Sequence, residues 1–388
     1  MKTYMKLYNK FARLLVISLS VSGIFIGCSE EELPNGGKPM VSYVRVTRPT
    51  SSDSLLIAAG QGQMVAIMGE NLRDIRQLWF NDQRAVLNPS FITDKTVITR
   101  VPSQIPENIT NQMRMIFGNG EELIYDFEVA ISEPVLSYMM SEYVNTGDTA
   151  IIVGNFFYEP LTVTFTGDVQ GEVILREDER LEIVVPEGAQ PGPITVSTNF
   201  GVTKSNFWFR DNRNVFGSME VTDFNGWWWG SEMIVATDPR IPPVDNKFLR
   251  VNQVLGTGQW FEFFVGTGGA MALETQKIPA EAIENPALYS LKFEINTLSS
   301  LAGAKIRMYI GNSMTERNDN NFTWQPNLNT GGQWETVTIP FKSIIDKNPG
   351  IKVDPAGYGI SFWFWEGAAV TANFGVDNFR VVPNVSED

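Results

Sequence analysis

One pattern occurs twice in this chain, about 85 residues apart, and it limits the fold more than any other feature. Met64-Val65-Ala66-Ile67-Met68-Gly69-Glu70-Asn71-Leu72 reads as a strand running into a Gly/Asn turn, and Thr149-Ala150-Ile151-Ile152-Val153-Gly154-Asn155-Phe156-Phe157 is its counterpart. Leu78-Trp79-Phe80-Asn81-Asp82 then corresponds to Val163-Thr164-Phe165-Thr166-Gly167-Asp168. Thr96-Val97-Ile98-Thr99-Arg100-Val101-Pro102 corresponds to Leu181-Glu182-Ile183-Val184-Val185-Pro186. A unit this long that recurs is a tandem domain, not a solenoid turn. Alternation and β-branched content predict strands, and Gly118-Asn119-Gly120 predicts a hairpin turn. Seven or so short strands per copy predict two small sandwiches, over residues 39–130 and 131–211.

Beyond Asn212 the composition shifts. Eight of the ten tryptophans lie there, at 227, 228, 229, 260, 324, 334, 363 and 365, so this segment differs in purpose from the repeats. Strands are predicted at 247–251, 260–265, 289–295, 304–310, 335–339, 359–365 and 374–382, with one short helix at 278–285. That many antiparallel strands predict a larger jelly-roll-like sandwich over residues 212–388. The expected fold is therefore all-β: two tandem Ig-like β-sandwiches followed by a larger jelly-roll-like β-sandwich.

The N-terminus carries Lys2, Lys6, Lys10 and Arg13 before an apolar run, Leu14 to Ile26. The run is short for a membrane span and reads as a secretory signal over residues 1–27. It ends at Phe25-Ile26-Gly27-Cys28, which resembles the bacterial lipobox; the resemblance implies cleavage before Cys28, the chain's sole cysteine, and lipidation of it. Ser29-Glu30-Glu31-Glu32 follows and resembles the surface-export signal of some Gram-negative lipoproteins. Residues 28–38 read as an acidic, Gly/Pro tether. Membrane attachment is expected only through the lipid anchor, at the cell outer membrane and facing outward.

Net charge is −14, so a phosphate backbone would be repelled and nucleic acid is not an expected partner. There is no histidine, which removes Ser-His-Asp and Cys-His catalysis. No cofactor or metal is expected: Asp319, Asn320, Asp377 and Asn378 are oxygen-rich but lack the spacing of a calcium loop. A neutral ligand escapes these penalties. Sugars fit best, because their C–H faces pack on flat aromatic rings and their hydroxyls need directed polar partners.

The candidate binding residues follow. In Ile360-Ser361-Phe362-Trp363-Phe364-Trp365, strand alternation puts Ile360, Phe362 and Phe364 on a core face and Trp363 and Trp365 on the other. Two indoles roughly 7 Å apart along a strand match adjacent sugar rings. In Lys305-Ile306-Arg307-Met308-Tyr309-Ile310, Arg307 and Tyr309 share the outward face, for hydrogen bonding and stacking. Trp227-Trp228-Trp229, bracketed by glycines, cannot all enter one core, which points to Trp228 and Trp229. Trp324 sits among amides at 318–326. Trp334 is expected to pack structurally, and Trp260 is undecided.

Gln333-Trp334-Glu335-Thr336-Val337-Thr338-Ile339-Pro340-Phe341, followed by Asp377-Asn378-Phe379-Arg380-Val381, resembles the closing half of jelly-roll carbohydrate-binding modules. The two repeats resemble IPT/TIG Ig-like domains. The order of lipobox, acidic run, tandem Ig-like modules and Trp-rich C-terminal domain resembles the cell-surface glycan-binding lipoproteins of Sus-like polysaccharide-utilisation systems, especially the type with a xyloglucan-binding C-terminal domain. That resemblance implies non-catalytic capture of a neutral polysaccharide for an outer-membrane glycan importer complex. Two other readings stand beside it: an adhesin or assembly protein using its tryptophans against a protein partner, and a glycoside hydrolase with Asp223, Glu262 or Glu366 as its carboxylates.

Overall fold

The computed structural model describes residues 37–48, 54–220, 231–266 and 274–384. The signal run, Cys28 and the segment that holds Trp228 and Trp229 lie outside the described residues. The chain forms two compact units, Met1–Ile131 and Ser132–Asp388.

In the first unit, one sheet runs in the order Leu55–Leu56, Met40–Val46, Met64–Glu70, Thr96–Arg100. The facing sheet runs Gln83–Arg84, Ile75–Phe80, Gln112–Phe117, Glu122–Asp126. Val44, Ile67 and Val97 from one meet Leu78, Phe80 and Met115 from the other in a single core. Alternation explains this packing: in Gln112–Phe117 every second residue is buried, at Met113, Met115 and Phe117.

In the second unit, seven strands between Val135 and Phe209 form a continuous sheet folded over its own core. The fold comes from the long strand Val169–Glu177. Its first residues pair with Leu161–Phe165, and after residue 171 it pairs with Arg180–Val184 instead. The repeated glycine has one physical cause in both modules. A Cβ on Gly69 would stand 1.9 Å from the Met40 carbonyl oxygen, and one on Gly154 would stand 1.9 Å from that of Val135. Each glycine lets a bulged neighbouring strand come close. Two residues on, Asn71 and Phe156 both turn with φ near 60°, at 58° and 62°.

The remainder of this unit is a larger sandwich. Its inner sheet is ordered Ile234–Val235, Phe248–Leu255, Val370–Pro383, Tyr289–Thr297, Trp334–Pro340, with Val215–Gly217 added along Val370–Pro383. Its outer sheet is ordered Phe261–Gly266, Gly359–Phe364, Ile306–Gly311, Phe322–Trp324. Leu291, Phe293, Val376 and Phe379 from the inner sheet pack on Phe264, Met308, Ile360 and Phe362 from the outer one. Among the described residues helices are confined to short turns, Ala280–Glu284 and Phe341–Ile345 among them. The protein is all-β, with Ig-like and larger β-sandwiches.

A buried ionic cluster joins the 135–209 module to this larger sandwich. Arg380, wholly buried, places Nη2 2.6 Å from Glu142 Oε2 and 2.9 Å from Glu294 Oε1. Lys292 Nζ lies 2.5 Å from Glu142 Oε1, so two cations face two carboxyl groups, and burial raises the pKa of Glu294 against the pull of Arg380. Thr336 and Ser141 donate hydroxyl hydrogens to Glu294, and the Thr336 N–H donates to the Met140 carbonyl at 2.8 Å. Burial acts to lower the pKa of Arg380, but Glu142 and Glu294 more than offset it, so the guanidinium stays charged.

Candidate functional site

The outer sheet turns Phe261, Phe362, Phe364, Ile306, Met308 and Ile310 to the core. Its other face is therefore set by the alternate residues: Glu262 on one strand, Ser361 and Trp363 on the next, then Arg307 and Tyr309, and then Thr323. The register brings Glu262 and Arg307 to either side of Trp363, and Thr323 beside Arg307. So the structure gathers Arg307, Tyr309, Trp363 and Trp365 on one face, as their periodicity predicts.

Two of these four do not present a surface, which corrects the expectation for them. Tyr309 is 0% exposed and Trp363 is 1% exposed. The Tyr309 hydroxyl donates to the Ser313 carbonyl at 2.6 Å, and its ring end lies over Gly311, where a Cβ would come within 2.2 Å of the hydroxyl oxygen. The segment after Gly311 folds back on the sheet: Arg317 places Nη1 3.3 Å from Glu262 Oε1. Tyr309 is thus a structural anchor for that segment. Trp324 is also placed differently from the expected loop position. It ends the short strand Phe322–Trp324, packs on the core and sets its ring edge-to-face with Phe293 at 5.6 Å.

The open part of the face lies at one end. Trp365 continues the Gly359–Phe364 strand, its N–H donating to the Lys305 carbonyl at 3.1 Å, and it is half-buried. The Arg307 guanidinium lies over its ring, 5.6 Å from the centroid. Arg307 Nη1 donates to Thr323 Oγ1 at 2.5 Å, and Nη2 pairs with Glu366 Oε2 at 2.5 Å. Glu366 reaches it because its backbone takes φ 58°, a left-handed turn uncommon for a glutamate. Phe261 pairs with Phe364 at the end of the register; Trp260 precedes the first and Trp365 follows the second. Trp260 is 45% exposed. Trp260 and Trp365 thus flank the Phe261–Phe364 pair at the same end of the outer sheet, on adjacent chain segments and not along one strand.

Sequence reasoning left Trp260 undecided. The signal that finds it is the core assignment of Phe261, which sends the residue before it to the outer face. Glu262 sits deeper on the same face, 5% exposed, and accepts from the Ser361 hydroxyl. Burial raises its pKa above the ordinary carboxylate value, against the opposing pull of Ser361 and Arg317. Among the described residues no group of three His, Cys, Asp or Glu side chains is placed to hold a metal ion.

Residues 209–383 match the family model of the surface glycan-binding protein B xyloglucan binding domain. An IPT/TIG domain-containing protein of Bacteroides ovatus is 27% identical over 154 residues, covering 38% of this chain and 31% of that protein. The match spans about a third of that relative's length. The crystal structure of the surface glycan-binding protein PbSGBP-B from Prevotella bryantii aligns with 90% of this chain and 100% of its own, at 24% identity and a TM-score of 0.68. SGBP-B from a complex xyloglucan utilization locus in Bacteroides uniformis aligns with 89% of this chain and 100% of its own, at 17% identity and a TM-score of 0.50. The likeness to these two structures is one of fold. The resemblance to surface glycan-binding proteins with IPT/TIG modules and a C-terminal xyloglucan-binding-type domain holds on the family match and the named relative together.

Proposed function

We propose that this protein captures a neutral polysaccharide at the outer face of a bacterial outer membrane, without catalysis, and passes it to an outer-membrane importer complex. The observation that carries this reading is the half-buried Trp365, covered on one side by the Arg307 of the Arg307–Glu366 ion pair, with the exposed Trp260 next to the Phe261 that pairs with Phe364. The indoles stack on sugar C–H faces. Arg307, Glu366 and Thr323 supply hydrogen-bonding groups at the rim. Xyloglucan-type β-glucans are the first ligands to try, given the family matched by residues 209–383.

A binding role also accords with the state of the carboxylates. Of the three candidate carboxylates, Glu262 is tied to Ser361 and Arg317 and Glu366 to Arg307, while Asp223 lies outside the described residues. Glycoside hydrolysis needs one carboxyl free to donate a proton and a second free to attack or to activate water. Surface attachment through lipidated Cys28 rests on the lipobox-like sequence alone.

The test is affinity electrophoresis of the chain from Glu30 onward in gels containing xyloglucan, mixed-linkage β-glucan or other neutral polysaccharides. Retardation by at least one of them, weakened in Trp260→Ala and in Trp365→Ala with the circular dichroism spectrum unchanged, is the expected result. No retardation by any glycan, with capture of a protein partner instead, would favour the adhesin reading. A neutral ligand also predicts little change in affinity when salt is raised.

A further inference from the structure

A cleft of about 470 Å³ opens where the 135–209 module meets the larger sandwich. Its lining includes Tyr143, Asn145, Asp148, Thr149, Gln333 and Trp334. Trp334 is fixed from two sides. Its Nε1–H donates to the Pro242 carbonyl at 2.7 Å, and its ring meets Phe248 edge-to-face at 5.6 Å. With its N–H committed and its position held, what the half-buried indole offers the cleft is hydrocarbon surface.

The rim supplies the other half of a saccharide site. Gln333, Asn145, Asp148 and Thr149 are exposed, bringing two amides, a carboxylate and a hydroxyl. Among the described residues that line the cleft there is no lysine or arginine, and Asp148 disfavours an anion. The chemistry that remains is a neutral, hydroxyl-rich ligand with an apolar face. The volume falls in the ordinary range for small-ligand sites, roughly 300–1,000 Å³. The walls are also set before any ligand arrives, because the buried cluster of Arg380, Lys292, Glu142 and Glu294 joins the two modules. A preformed cleft avoids part of the ordering cost of binding.

We infer that this cleft is a second saccharide subsite, which takes a short neutral segment of glycan independently of the Trp260–Trp365 face. The inference rests on the proposed glycan-binding function for the class of its ligand. It differs in location and adds a contribution from the Ig-like module, so a long polymer engages the protein at two places and gains from avidity.

The experiment uses the chain from Glu30 onward with xyloglucan polymer and xyloglucan oligosaccharides as probes. Three variants are compared with the parent: Trp260→Ala/Trp365→Ala, Asn145→Ala/Gln333→Ala, and all four changes together. Binding is read by titration calorimetry and by the indole N–H resonance of Trp334, assigned with Trp334→Phe. The expected result is that the Trp260→Ala/Trp365→Ala protein still binds oligosaccharide and shifts the Trp334 resonance, while the fourfold variant does neither. The Asn145→Ala/Gln333→Ala protein should lose about tenfold in affinity for polymer, as a lost avidity contribution predicts. If the parent binds but Trp260→Ala/Trp365→Ala binds nothing, the second subsite is overturned and the proposed function stands. An unmoved Trp334 resonance in a glycan-saturated parent overturns it equally. If the parent binds no xyloglucan probe, and no other neutral glycan retards it, both the subsite and the proposed function fall.

Discussion

Arg380 and Glu142 stand 238 positions apart in sequence, yet Nη2 of one lies 2.6 Å from Oε2 of the other inside the protein. Neither partner is more than 3% exposed at its side chain. A charge buried to this degree persists only when it is paired and hydrogen-bonded. The contact therefore does more than decorate a surface. It commits the second Ig-like module and the larger sandwich to one arrangement, and it gives the junction cleft fixed walls.

Removing one member of that cluster should be costly. Arg380→Met leaves Glu142 and Glu294 buried with only Lys292 to balance them. The expected loss is about 3–5 kcal/mol of unfolding free energy, the usual result of orphaning a buried charge. Urea unfolding of the chain from Glu30 measures it. Adding Glu294→Gln to Arg380→Met should restore part of the loss, because the second change removes an unpaired carboxylate. Additive losses in that double-mutant cycle would show that the two groups do not interact.

Trp365→Ala and Trp260→Ala should each weaken glycan binding by about 2 kcal/mol or more, close to thirtyfold, if these indoles are the stacking platform. Tyr309→Phe gives the contrast. It removes only the hydroxyl bond to the Ser313 carbonyl, so stability should fall by about 1 kcal/mol. Affinity should stay at the parent value, because Tyr309 is buried beneath the segment after Gly311. Calorimetric titration and thermal unfolding on the same preparations separate the two effects.

These contrasting fates also mark where the sequence was legible. Strand alternation placed Arg307, Tyr309, Trp363 and Trp365 on one face, and the structure agrees, because period-two geometry is local. Alternation carries no information on what covers that face. Tyr309 and Trp363 are buried because a segment beyond Gly311 returns over the sheet, an interaction set by Arg317, Ser313 and Glu262 across distant positions. Trp324 was misplaced for a related reason. Its amide-rich surroundings read as a loop, but the pairing of Ile306 with Trp324 makes it an edge-strand residue. The tandem modules were easier to read, since Gly69 and Gly154 answer the same steric demand. The junction cluster left no local signature, because Glu142, Glu294 and Arg380 sit in three separate strands or turns.

Arg307 should act on affinity more than on stability. Its partner Glu366 has a side chain 53% exposed, and an ion pair with so wet a member contributes little to folding. Arg307→Lys retains the charge but loses the planar fork that reaches Thr323 and Glu366 together and covers the Trp365 ring. Glycan affinity of Arg307→Lys should drop about tenfold, with thermal stability nearly unchanged. Equal losses in both measurements would assign Arg307 a structural role instead.

Glu262 makes the protein's stability depend on pH in a direction opposite to that of most carboxylates. Burial raises its folded-state pKa, whereas the unfolded chain titrates near the ordinary value of about 4.3. The native state therefore binds a proton more tightly than the unfolded state. By linkage, Glu262 contributes its stability fully below about pH 4.3, and that contribution is lost as pH rises through the raised folded value. Glu262→Gln mimics the protonated side chain at every pH and abolishes the dependence. Its stability relative to the parent should thus improve steadily from acid toward neutral pH, measured by urea midpoints at a series of pH values. Other titrating groups cancel in the comparison, since they are common to both proteins. Curves that run parallel across the whole range would mean that Glu262 titrates alike in the folded and unfolded states, and that Arg317 and Ser361 compensate fully for its burial.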